Sequence, residues 1–228
     1  MKSRPLFKAT LVSLLIIPFL ILLNGYSPPP EKAPDGYNSV IIAFEMVSNE
    51  EELSEVLTPL SSEEIEGLDM LNYVDFGFML AYGFFIWLFI SLLSKELNLD
   101  YMKKVRWLAV GVVLLDVLEN VQLLRMSQFL DGSVEKASYF IHLLSVFTWM
   151  KWLLLAFIFV VIGYALRKLS IRSKLTGALL TVPFVLGLIA FFTKTPSYED
   201  IFATSIFGCF FVLILYSAFY QRENSTSE

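Results

Sequence analysis

The chain has 228 residues, of which 56% are hydrophobic and 21 are Phe, with a mean hydropathy of +0.65 and a formal net charge of −5. At roughly 20 residues per membrane crossing, this length holds about six spans and one modest extramembrane segment, which excludes a large catalytic domain outside the bilayer. The single Cys209 and single His142 exclude an intrachain disulfide, a thiolate metal site and any site built only from several histidines. Net acidity, with basic residues scattered over short loops, speaks against a nucleic-acid partner.

Apolar segments fall at about 7–25, 72–94, 106–125, 139–165, 175–193 and 201–220. They predict an all-α membrane protein, a six-helix transmembrane bundle with a four-helix core plus an N-terminal anchor or extra C-terminal spans. The first segment follows Lys2, Arg4 and Lys8, and its short apolar core, Ala9 to Leu23, also fits a signal peptide. An uncleaved anchor is favoured, because a cut after Gly25 would leave Leu23 where a small residue is usual, with Pro28 to Pro30 close behind. The expected division is an anchor at 1–25, an acidic extracytoplasmic segment at 26–71, a helical bundle at 72–220 and a cytoplasmic tail at 221–228.

The 26–71 segment carries Glu31, Asp35, Glu45, Glu50, Glu51, Glu52, Glu55, Glu63, Glu64, Glu66 and Asp69 against Lys32 alone. Such a run reads first as a solvated helical face and second as a surface for cations. Pro28 to Pro30 predict an extended spacer. Val40-Ile41-Ile42-Ala43-Phe44 is too short to span and predicts a strand or an interfacial element. Asn49 with Glu52 resembles a capping box opening a helix to about Leu57, which Thr58-Pro59 ends. From Ser62 an amphipathic helix, with Ile65, Leu68 and Leu71 on one side, is expected to run into the second span. A small cap against the mouth of the bundle results.

Lys and Arg set the expected orientation. Twelve of the seventeen (Lys2, Arg4, Lys8, Lys95, Lys103, Lys104, Arg106, Arg167, Lys168, Arg172, Lys174 and Arg222) share one side, while Lys32, Arg125, Lys136 and Lys194 share the other. By the positive-inside rule the protein sits in the cell (inner) membrane with both termini cytoplasmic and 26–71 outside.

The third span carries Asp116, Glu119 and Asn120 at i, i+3 and i+4, hence on one helical face. Carboxylates at membrane depth cost roughly 2.5–3.5 kcal/mol each on insertion scales, so their presence asks for partners. Counting residues from the ends of spans three and four puts Lys151 at the depth of Asp116, and pairing of Lys151 with Asp116 or Glu119 is expected. Asp75, His142 and Arg125 fall nearer the outer surface, and with Tyr82, Trp149 and Trp152 they suggest a polar funnel opening outward. Each has a plainer reading: Asp75 as a helix cap, His142 as an interfacial ring, the Trp residues as packing, and the charge pair as glue between helices. Gly177, Pro183 and Gly187 in span five allow a bend or a close helix approach.

The pattern Val40 to Glu45, then Asp75-Phe76-Gly77-Phe78 with Tyr82, then Asp116-Val117-Leu118-Glu119-Asn120 resembles a family of uncharacterised bacterial multi-pass membrane proteins. In that family an apolar segment ending in Phe-Glu precedes an Asp-Phe span and an Asp-x-x-Glu-Asn span. The resemblance covers about residues 38–165, leaves out spans five and six, and implies a four-helix core without an assigned activity.

No Gly-x-Ser-x-Gly elbow, His-Glu-x-x-His or Walker-type loop occurs, and nothing calls for a cofactor or a metal. Three roles fit what is present. The foremost is binding, transport or sensing of a small molecule, lipid or ion through Asp116, Glu119, Asn120, Lys151, Asp75, His142, Tyr82 and Trp149, with membrane lipids as surroundings. The others are a membrane-embedded acid–base enzyme, such as an isomerase or lipid-modifying enzyme, and a structural or assembly subunit.

Overall fold

A computed structural model describes residues 4–128 and 137–220. Lys2, Lys136, Arg222 and the 221–228 tail, which entered the charge count and the domain division, lie outside the described residues. Six helical stretches are long and apolar enough to cross a membrane: Phe7–Tyr26, Ser62–Leu97, Met102–Met126, Ser138–Leu166, Ile171–Thr193 and Pro196–Phe219. The protein is an all-α, multi-pass membrane bundle. Among the described residues no strand forms.

Proline explains two interruptions in these stretches. The first is split into α1 (Phe7–Ser13) and α2 (Ile16–Tyr26). Pro18 cannot donate to the carbonyl of Leu14, and there the chain tightens to Leu14 N–H to Leu11 O and Leu15 N–H to Val12 O. The cap helices α3 (Val40–Met46) and α4 (Glu50–Leu57) follow, and then α5 (Ser62–Leu97), α6 (Met102–Val105), α7 (Leu108–Met126) and α8 (Ala137–Leu166). The fifth stretch breaks in the same way ahead of Pro183, between α9 (Ile171–Leu179) and α10 (Val182–Thr193), before α11 (Pro196–Phe219).

The 36-residue α5 is about 54 Å long at 1.5 Å per residue, well beyond the roughly 30 Å hydrocarbon thickness. Its first turns therefore stand clear of the spanning part and join the cap. Its start is fixed by a complete capping box: Ser61 Oγ accepts from the Glu64 amide at 3.3 Å and Glu64 Oε2 accepts from the Ser61 amide at 2.7 Å. It ends on Asn98 in the left-handed region, at φ 52°.

The segment 40–44, expected as a strand or an interfacial element, is a helix. Its β-branched residues favour extended backbone, but no strand is available to pair with, and an unpaired backbone beside the membrane is costly. Ser39 caps the helix, accepting from the Ile42 amide at 3.5 Å, and the 40–46 amides and carbonyls turn inward on themselves. The Asn49 cap of α4 forms as expected, with Asn49 Oδ1 accepting from the Glu52 amide at 2.9 Å.

The cap is held by apolar contact. Val40, Ala43, Phe44, Val47, Leu53, Val56, Leu57, Leu60 and Leu68 pack with Leu123 and Met126 of α7 and Ile141 and Leu144 of α8. Phe44 is fully buried, and burial of one such ring is worth roughly 1.5–3 kcal/mol. Beneath it, α7 and α8 lie side by side with α5 against α7, while α10 and α11 close the other flank of α8. Phe85, Phe89, Phe159 and Phe202 fill the centre.

At one point two backbones touch: a methyl on Gly163 of α8 or Gly177 of α9 would overlap the carbonyl oxygen of the other. Substitution of either therefore forces the helices apart. Gly177→Val is expected to lower the thermal unfolding midpoint of the detergent-solubilised protein by several degrees, whereas Gly208→Ala, where a methyl meets open space, leaves it unchanged.

Candidate functional site

Two helices present matching triplets. Asp116, Glu119 and Asn120 of α7 and Thr148, Lys151 and Trp152 of α8 each occupy i, i+3 and i+4, so each triplet lines one face. The close packing of α7 on α8 turns these faces together. Asp116, Glu119, Asn120 and Lys151 are at most 5% exposed, and Glu119 is fully covered.

The Lys151 ammonium is the hub. It pairs with Asp116 Oδ1 at 3.1 Å, with Glu119 Oε2, and with Glu45 Oε2 at 3.1 Å. Glu45 belongs to α3, so the cap reaches into the bundle and contributes a carboxylate. Every charged group there has a second partner: Tyr82 donates to Asp116 Oδ2, Thr148 Oγ1 donates to Glu119 Oε1 at 2.8 Å, and the Trp152 indole N–H donates to Glu45 Oε2 at 3.1 Å. The Lys151 ammonium also lies 4.9 Å from the Trp152 ring centroid.

A second tier extends along α5. Asn120 Nδ2 donates to Asp75 Oδ2 at 2.7 Å and to the Asn72 carbonyl at 3.3 Å. Asp75 is thus bonded to Asn120, the residue after Glu119 on α7, and is not a helix cap. Tyr82 lies seven residues from Asp75, two helical turns, and so shares its face. Three carboxylates, Glu45, Asp116 and Glu119, pair with one ammonium, and a fourth, Asp75, lies nearby on Asn120.

The structure brings together six of the eight residues singled out in the sequence: Asp116, Glu119, Asn120, Lys151, Asp75 and Tyr82. It does not bring in the other two. His142 is exposed and among the described residues makes no hydrogen bond or ion pair; it precedes Lys151 by nine residues, two and a half turns, which puts it on the opposite face of α8. Trp149 turns toward α10 and α11, stacked on Phe202 at 6.2 Å and edge-on to Phe191 at 5.2 Å, with the Lys194 ammonium 4.8 Å from its ring. Arg125 lies over the Phe140 ring and takes no part either. Among the described residues, His142, Trp149 and Arg125 therefore do not join the cluster in one funnel, and Glu45 of α3 lies over the Lys151 ammonium.

Glu45 and Thr148 were not among the residues singled out. Thr148 carries no signal beyond its place one turn before Lys151. Glu45 does have one: it is the only carboxylate of its segment directly attached to an apolar run, Val40 to Phe44.

Removing Lys151 while leaving its partners should be severe, because it strands buried carboxylates. Lys151→Met is expected to cost about 3–5 kcal/mol in denaturant unfolding, and Lys151→Met combined with Glu119→Gln to recover part of that loss. Equal stability of Lys151→Met and the unsubstituted protein would show that the pairs contribute nothing.

No protein-family model, no curated protein and no solved structure matches this chain.

Proposed function

We propose that this membrane protein uses the Glu45, Asp75, Asp116, Glu119 and Lys151 cluster as an internal site for exchangeable protons, through which it senses or moves a small ligand or ion, with α3 as the closure. The observation that carries this reading is the charge count. With every group ionised, the three carboxylates paired with Lys151 and the neighbouring Asp75 leave three negative charges at a site where Asp116 and Glu119 are buried and Glu45 and Asp75 half-buried, and such an excess is relieved by bound protons or a cation. Among the described residues no group of three or more His, Cys, Asp or Glu is disposed to hold a metal ion, which favours protons as the relief. Tyr82, Thr148 and Asn120 supply hydroxyl and amide hydrogens that rearrange as a proton arrives or leaves.

Orientation belongs to the same reading. The twelve Lys and Arg counted together support a topology with both termini in the cytoplasm and the cap outside, in which the cluster takes its protons from the extracytoplasmic side. A structural reading is supported by a separate observation: Lys151 ties α3, α7 and α8 to one another, which alone would justify its burial.

Infrared spectroscopy of the folded protein in lipid separates the two. A carbonyl band of protonated carboxylic acid at neutral pH, diminished in Asp75→Asn and Glu119→Gln, is expected if the cluster holds protons. No such band in the unsubstituted protein would contradict the proposal and leave the structural reading. For orientation, in a Cys209→Ser background, a cysteine at Asp35 is expected to react with a membrane-impermeant maleimide in intact cells and one at Arg172 only after lysis. The reverse pattern would invert the topology.

A further inference from the structure

A cavity of about 110 Å³ lies on the other side of α3 from the Lys151 cluster, at the seam between the cap and the start of α11. It is somewhat smaller than the roughly 150 Å³ cavity that accepts a benzene ring. Ala43, Met46 and Val56 give it an apolar side, and Asp35, Glu52, Glu55 and Glu199 an acidic one.

Glu199 is the informative residue. It is 5% exposed, and only its Oε2 is hydrogen-bonded, accepting from the Tyr37 hydroxyl. Its Oε1 has no hydrogen-bond donor among the described residues, although the side chain lines the cavity. Burial, and then the bond to Glu199, raise the Tyr37 hydroxyl above its usual pKa and keep it a donor. The neighbouring Asp200 is fully engaged by contrast, accepting from the Asn38 amide at 3.0 Å and from Asn38 Nδ2 at 2.7 Å. That oxygen is left without a protein donor and accessible from the cavity, where a cation or a hydrogen-bond donor can reach it.

The other acids add charge without closing the site. Both Glu52 oxygens are used in capping α4, by Asn49 and Ser48, while Asp35 and Glu55 form no hydrogen bond or ion pair among the described residues. Lys194 is the one base in the lining, and its ammonium is drawn aside over Trp149 at 4.8 Å and Phe191 at 5.2 Å. The lining keeps a net negative charge.

We infer that this cavity binds a small organic cation, a primary ammonium on a short apolar chain, with the ammonium at Glu199 Oε1 and the chain against Ala43, Met46 and Val56. A metal ion fits less well, since no three acids of the described chain converge on a point and one side of the cavity is hydrocarbon. The inference does not depend on protons in the Lys151 cluster, because it uses other residues.

The test is isothermal titration of the full-length protein in lipid nanodiscs with n-butylammonium chloride, against n-butanol and sodium butyrate. Saturable binding of n-butylammonium alone is expected. Glu199→Gln should weaken it about tenfold, as for a lost charged hydrogen bond, and Glu55→Gln about threefold, as for a nearby exposed charge. Ala43→Leu, which fills the cavity, should abolish it. Absence of saturable n-butylammonium binding, equal binding of n-butanol, or binding unchanged in both Glu199→Gln and Ala43→Leu would overturn the assignment. Glu55→Gln changes an exposed residue without partners, so its effect reads binding even if a buried substitution impairs folding.

Discussion

The rest of the structure depends on one ammonium group kept away from water. Lys151 is worth burying only because three carboxylates from two separate elements converge on it: Asp116 and Glu119 from α7 beside it, and Glu45 from the cap. Each ion pair in such a place sets a large desolvation cost against a strong attraction, and the balance is favourable only when every remaining lone pair and hydrogen is also used. Tyr82, Thr148 and Trp152 supply those remaining bonds. Breaking one member leaves the others exposed to the same cost, so the site behaves as a unit.

This dependence explains why the extramembrane segment is folded onto the bundle instead of extending from it. Apolar contact from Phe44, Leu53, Val56 and Leu57 carries α3 and α4 to the ends of α7 and α8, but apolar contact is non-directional. The Glu45 bond to Lys151 gives α3 a register, and the Asn38 and Tyr37 bonds to Asp200 and Glu199 fix the entry of the chain. The result is a cap whose two anchor points lie on two different sites: the buried cluster on one side of α3 and the acidic cavity on the other.

Much of the bundle was legible because hydropathy and helix length are one-dimensional quantities. All six spans, the Asn49 cap of α4 and the continuous run from Ser62 into the membrane follow from counting, whereas the Ser61–Glu64 capping box was not anticipated. The pairing of Lys151 with α7 was legible for the same reason, since depth is residue number multiplied by rise. Azimuth was less so. His142 and Trp149 were joined to the Lys151 site as parts of one outward funnel, yet they lie nine and two residues from Lys151, about 180° and 200° around α8 at roughly 100° per residue, and both point elsewhere. The strand reading of the Val40 to Phe44 run came from its β-branched residues taken locally, while among the described residues no partner strand forms. Glu45 was hidden among other acids of a segment whose average character is solvated, and its burial is set by tertiary contact alone.

The central claim is that Glu45 docks the cap on Lys151, and hydrogen–deuterium exchange of the Val40–Met46 amides measures that docking directly. In the full-length protein in lipid, Glu45→Gln is expected to speed exchange across α3 by about tenfold or more, the size of a lost charged hydrogen bond, while α7 and α8 keep their protection. Unchanged protection of α3 in Glu45→Gln would contradict the claim and leave the cap held by apolar packing and the Tyr37 and Asn38 bonds.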